Sequence, residues 1–176
     1  VSRPMTDFDT VMEALTAHAT RAAEKLRQHG LVAGSLTAFY HTSRFKPDKP
    51  NHRASRTTTL TPMTNDTFGL VAAARRCAEA AWKGRRAQNL GGYEYAKAGV
   101  MLNDLLPIAQ RPLTLFDTPD ARSPQLMAAL DAVNGRYGKK SLVIAREGFS
   151  GRTAMKQEFR SPRYTTRISD VPVVRG

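Results

Sequence analysis

The sequence predicts an α+β fold: a ferredoxin-like β-α-β-β-α-β antiparallel sheet with two helices on one face, followed by a linker and a small α/β C-terminal domain. Three observations carry this reading. Two stretches space their apolar residues by three and four, three stretches are rich in β-branched and aromatic residues, and Gly or Pro clusters separate them in the required order.

Val1–Met5 reads as a short leading extended segment. Thr6-Asp7 then precedes Phe8, Val11, Met12, Leu15, Ala19, Ala22, Ala23 and Leu26, one helical stripe that Gly30 ends. Residues 34–43 (GSLTAFYHTS) and 53–60 (RASRTTTL) read as two strands around the proline-broken FKPDKPNH, a hairpin. A second helix starts near Asn65-Asp66 and runs to about Trp82, with Leu70, Val71, Ala74, Ala78 and Ala81 inward. The basic stretch KGRRAQNLGG breaks it, and YEYAKAGVMLND restarts as a strand with Val100 and Leu102 on the core side. Residues 1–105 thus form the first domain, 106–123 a proline-bearing linker, and 124–176 a small basic C-terminal domain. In that domain 123–138 reads as a helix capped by Ser123, with Leu126, Met127, Leu130 and Val133 on one side, and KKSLVIARE as a strand.

Because the two helices cover one face of the sheet, the other face is the informative surface, and period-two alternation decides what it shows. With Leu36, Ala38 and Tyr40 inward, Thr37, Phe39 and His41 face out. On the second strand Ser55, Thr57 and Thr59 are expected inward, with Arg56 and Thr58 outward. On the last strand Lys97 and Met101 are outward. Hydroxyls, an aromatic and cations on one face suit a sugar-phosphate backbone, although a merely solvated sheet face would show the same alternation.

The charge agrees with an anionic partner. Lys plus Arg is 27 against 15 Asp plus Glu, a net charge of +12 on 176 residues. A positive field of that size favours polyanions, and no apolar run has the length of a membrane span, so nucleic acid is preferred over a membrane. Residues 124–176 hold ten Lys/Arg against four Asp/Glu, so both parts are basic. Catalytic signatures are missing: no Gly-rich phosphate loop, no Gly-x-Ser-x-Gly elbow, no Cys/His pair. Asp7-Phe8-Asp9 reads as an acidic helix start, favoured by the macrodipole. The single cysteine, Cys77, forms no intrachain disulfide and reads as a small buried hydrophobe in a reducing, cytoplasmic setting. His18, His29, His41 and His52 lack a metal-ligand spacing. Arg163, Tyr164, Thr165, Thr166 and Arg167, near the C-terminus, read as a phosphate-contacting or docking segment or as ordinary surface. A chain beginning at Val1 reads as a piece of something longer.

Several stretches taken together are familiar: RAAEKLR (21–27), FYHTSRF (39–45), LTPMTND (60–66), YAKAGVMLND (95–104), PLTLFD (112–117), QLMAALDAVNGRYGKKSL (125–142) and SPRYTTRISD (161–170). In this order the chain resembles the C-terminal part of UmuC-like Y-family translesion DNA polymerases, that is, the little-finger domain followed by a UmuC-type C-terminal domain. The resemblance implies that the open sheet grips primer-template DNA through phosphates, with Arg3, Thr37, Phe39, His41, Arg56, Thr58 and Lys97 as its DNA-binding residues. It implies a clamp-binding peptide at Pro112, Leu113, Thr114, Leu115 and Phe116, in which two or three apolar anchors enter a pocket of the β sliding clamp. Pro112 stands where the family's peptide has Gln.

The resemblance further implies an SOS-response, DNA-repair role in a bacterial cytoplasm, nucleoid-associated when acting, with UmuD-like dimers and RecA as further partners. The catalytic carboxylates and their Mg2+ sit in the family's palm domain, so this chain is not expected to polymerise, to hold a metal or to need a cofactor. Two rival functions remain open at this point: a protein-interaction module docking UmuD-like or RecA partners without touching DNA, and an RNA-binding sheet. The second would want paired exposed aromatics on neighbouring strands, and Phe39 stands alone.

Overall fold

A computed structural model describes residues 4–46, 48–82, 92–112, 122–138 and 140–145. Among them the order is α1 (Phe8–Gln28), β1 (Leu31–Thr42), β2 (Arg53–Thr64), α2 (Thr67–Ala81), β3 (Tyr95–Pro107), a 3-10 turn (Ile108–Gln110) and α3 (Arg122–Tyr137). Asp7 caps α1 by accepting the Thr10 N–H at 2.7 Å. Gly30, at φ +63°, turns the chain from α1 into β1 in a conformation that disfavours other residues.

The sheet is antiparallel, in the order β2-β1-β3. The expected leading strand is reduced, among the described residues, to a bridge: Met5 and Tyr95 exchange two backbone hydrogen bonds of 2.9 Å. The α+β class therefore stands, with α1, α2 and three antiparallel strands among the described residues, while the first strand of the expected β-α-β-β-α-β order is present only as this bridge. Met5 lies beside β3, and β3 beside β1, so β3 separates the segments before and after α1, and β1 separates the strands before and after α2. The β2-α2-β3 unit is thus split by β1, the central strand of the sheet.

α1 and α2 lie together on one face and bury Val11, Leu15, Ala19, Ala23 and Leu26 against Leu70, Val71, Ala74, Cys77 and Ala78, with Leu36, Ala38 and Tyr40 beneath. Alanines at the helix contact let the backbones approach closely. At the β1–β2 hairpin end the core becomes aromatic: Tyr40 meets Tyr95 edge-to-face at 4.9 Å, and Phe8 meets Trp82 at 5.3 Å. The Tyr95 hydroxyl hydrogen-bonds His52 Nδ1 at 3.0 Å. Burial first, and then the neighbouring Tyr93, push the Tyr95 phenol up to about 12; burial and Tyr95 raise Tyr40 further. Both stay protonated, as packed phenols should.

α3 docks at the opposite end, where α1 stops and α2 begins. Arg27 binds Asp131 through Nε and Nη2, each at 2.7 Å, while its Nη1 donates to the Asn65 carbonyl and to Thr67 Oγ1, both at 2.9 Å. Met127 is buried there, and its sulfur accepts the Thr67 N–H. Two expectations for this region need correction. Ser123 lies inside α3 rather than capping it, because its hydroxyl is used to donate to Asp66 Oδ1 at 2.9 Å. Nor do residues 140–145, within the expected strand 139–147, form a strand. Gly138 turns the chain at φ +100°, and Asn134 then holds Leu142 by both its N–H and its carbonyl, at 2.9 Å each, occupying the groups a strand would need.

Replacing Arg27 by Met should therefore lower stability by about 2 kcal/mol, since a half-desolvated carboxylate and two acceptors lose their donor. Asp131→Asn should cost about half as much, both read as shifts in the urea midpoint.

Candidate nucleic-acid interface

No described element covers the second face of the sheet, and the strand register fixes what that face carries. Directly paired residues point the same way, so β1 defines four rungs running from the hairpin end to the far end. The first is Arg53–His41–Lys97, the second Ser55–Phe39–Gly99, the third Thr57–Thr37–Met101, and the fourth Thr59–Ser35–Asn103. Leu36, Ala38 and Tyr40 alternate with these and are buried, whereas Thr37, Phe39 and His41 are half-buried.

The expected placement of β2 is reversed. Arg56 pairs with Ala38 and Thr58 with Leu36, so both lie on the helix side, while Ser55, Thr57 and Thr59 lie on the open face. Alternation from Ala54 and Leu60, both buried, decides the parity, and Arg56 and Thr58 share it. Arg56 is exposed because β2 is an edge strand. Burial raises the Cys77 thiol of α2, opposed by a bond from the Ala38 backbone and by the charges of Arg76 and Arg56. Arg56 thus lies on the helix side of the sheet.

The open face is bonded across its width. Thr37 and Thr57 share a hydroxyl hydrogen bond of 2.8 Å, Asn103 donates to Thr37 Oγ1 at 3.4 Å, and Ser35 donates to Asp104 Oδ2 at 2.8 Å. Phe39 lies across Gly99, where an added Cβ would stand 2.7 Å from the ring's Cζ. The ring is a flat aromatic surface because its neighbour has no side chain. His41 donates from Nδ1 to the Thr42 carbonyl at 2.9 Å, leaving Nε2 without that bond. Arg53 and Lys97 are exposed, and neither forms an ion pair among the described residues.

The structure thus brings Thr37, Phe39, His41 and Lys97 together on one face and adds Arg53, Ser35, Ser55, Thr57, Thr59 and Asn103. The parity of Ala54 and Leu60 was the signal that could have found the β2 members. Arg3 lies outside the described residues, as do Leu113, Thr114, Leu115, Phe116 and the C-terminal Arg163–Arg167 segment; Pro112 is exposed just past the 3-10 turn. Among the described residues no three His, Cys, Asp or Glu side chains come together as a metal site, and no helix is long and apolar enough to cross a membrane.

A model of the impB/mucB/samB family C-terminal domain matches residues 1–115, and a domain of unknown function (DUF4113) matches 124–174. Protein UmuC of Salmonella typhimurium strain LT2 is 38% identical over 169 residues, covering 95% of this chain and 38% of that protein. Protein SamB of Salmonella typhimurium is 37% identical over 173 residues, 97% of this chain and 39% of the relative. Protein MucB of Escherichia coli is 36% identical over 165 residues, 93% and 37%. The chain spans about two-fifths of the length of these relatives. With the α+β fold, these similarities define the C-terminal part of a UmuC-like Y-family polymerase. Within that class the chain belongs to the impB/mucB/samB family.

The close approach of Phe39 to Gly99 sets a local expectation. Gly99→Ala should destabilise by about 1 kcal/mol through overpacking, and Phe39→Leu in the same chain should recover most of it, as a thermal-denaturation double-mutant cycle would record.

Proposed function

We propose that this chain is the DNA-binding and clamp-recruiting accessory region of an error-prone, translesion DNA polymerase acting in DNA repair and SOS mutagenesis. The observation that carries the reading is the open face, where a rung with two exposed cations borders an aromatic and a hydroxyl-rich surface under a net charge of +12. Such a surface takes phosphates and sugars without reading base edges. Affinity then does not depend on regular base geometry, which suits a polymerase that must hold distorted templates. Bond making belongs to the palm domain of the parent polymerase, with its Mg2+.

A salt titration tests the DNA grip. Log affinity for duplex DNA should fall steeply with log salt, and Arg53→Gln and Lys97→Gln should each weaken binding for every sequence and reduce the slope by about 1. Arg56→Gln, on the helix side, should leave the slope alone. Binding that ignores salt would favour the interaction module, with UmuD-like or RecA partners docking instead.

Clamp recruitment rests on the apolar pattern of Leu113, Leu115 and Phe116 after exposed Pro112. A few anchors give a weak, exchangeable contact, which tethering near DNA strengthens through effective concentration. Calorimetry with the β sliding clamp should show binding that Leu115→Ala/Phe116→Ala abolishes. An unaffected double variant would place the contact elsewhere.

A further inference from the structure

At the hairpin end of the open face lies a cavity of about 680 Å3, lined by His41, Arg44, Phe45, Asn51, Arg53 and Lys97 among others. That volume falls within the roughly 300–1,000 Å3 of small-molecule sites. Arg53 and Lys97 reach it from the strands flanking His41, and Arg44 reaches it from the loop. No carboxylate among the described residues lines it. Glu94, in the segment entering β3, is held by Lys46 and Lys49, whose hydrogen bonds keep it below the usual carboxylate range. Those two ion pairs also tie the loop to the segment entering β3. At the lip stands Phe45, 94% exposed, its N–H donating to Ser43 Oγ at 3.2 Å.

A lone exposed phenylalanine is unremarkable, and so is a lone cation. Their convergence on one concave site is different. Three cations can hold consecutive phosphates of a strand while an aromatic ring offers a face to a base, and this pairing is how single strands are bound. A duplex cannot use the ring, since its bases are stacked inside.

We propose that this cavity takes an unpaired nucleotide of the DNA strand leaving the duplex, with Arg44, Arg53 and Lys97 on its phosphates and Phe45 against its base. The inference rests on the open face being a DNA-binding surface and extends it from duplex to the duplex–single-strand junction. Continuity decides for a strand over a free nucleotide: two of the three cations belong to the first rung of the open face, so duplex lying on that face delivers its overhang to the cavity.

The test compares this chain's affinity for a blunt duplex with that for the same duplex carrying a single-stranded overhang whose first unpaired base is 2-aminopurine. The overhang should tighten binding about ten-fold, with quenching of the probe. Phe45→Ala, a change at an exposed position, should remove the increment and the quenching while keeping the blunt-duplex affinity. Equal binding of both DNAs by the wild type, or an increment that survives Phe45→Ala, would overturn the nucleotide site and leave the DNA grip standing. Failure to bind either DNA would overturn both. A free 2-aminopurine deoxynucleotide should not be quenched at the same concentration; equal quenching would assign the cavity to free nucleotides and overturn the strand as its occupant.

Discussion

The arrangement of the helices depends on one guanidinium. Arg27 leaves the end of α1 and is 12% exposed, yet it joins the carboxylate of α3, the backbone just after β2 and the first residue of α2. A planar donor set suits this, because it serves several acceptors in fixed directions where an ammonium would serve them loosely. Asp66 works beside it, capping α2 through the Gly69 N–H and receiving Ser123 from α3. With three segments fixed at this end, the sheet is held from behind and its open face needs no covering element.

The opposite end is organised by different means. Tyr40, Tyr95, Trp82, Phe8 and His52 pack as rings, so the hairpin strands leave the core at a defined place. The loop between them is then held by Glu94. Rigid aromatic packing below and ion pairs above place Arg44 and Phe45 beside the first rung. The cations of the candidate interface thus stand beside the aromatic part of the core, on strands whose register sets their spacing.

Much of this was legible in the sequence. The α1 stripe, its Asp7 cap, and the alternation of Leu36, Ala38 and Tyr40 on β1 all follow from local pattern, because β1 is central and strongly half-buried. β2 was harder. Its threonines satisfy either face, so alternation among Ser55, Arg56, Thr57 and Thr58 carries no sign, and only Ala54 and Leu60 break the tie. Ser123 and the segment after Gly138 failed for another reason: their hydrogen-bond partners, Asp66 and Asn134, are supplied by tertiary contact or by a turn, and neither is visible in a window of propensities. The cavity at the hairpin end was likewise hidden, since Arg53 and Lys97 are far apart in sequence and meet only through the register of β1.

The misplaced arginine has a use of its own. Edge strands offer unpaired backbone groups to any passing strand, and charged side chains or proline along them discourage such pairing. β2 carries Arg53 on one face, Arg56 on the other, and Pro62 near its end. A second copy trying to extend the sheet edge to edge would bring its own arginines alongside these on both faces. This strand therefore behaves as a lateral stop, which keeps the sheet at fixed width and directs association to its face rather than its rim.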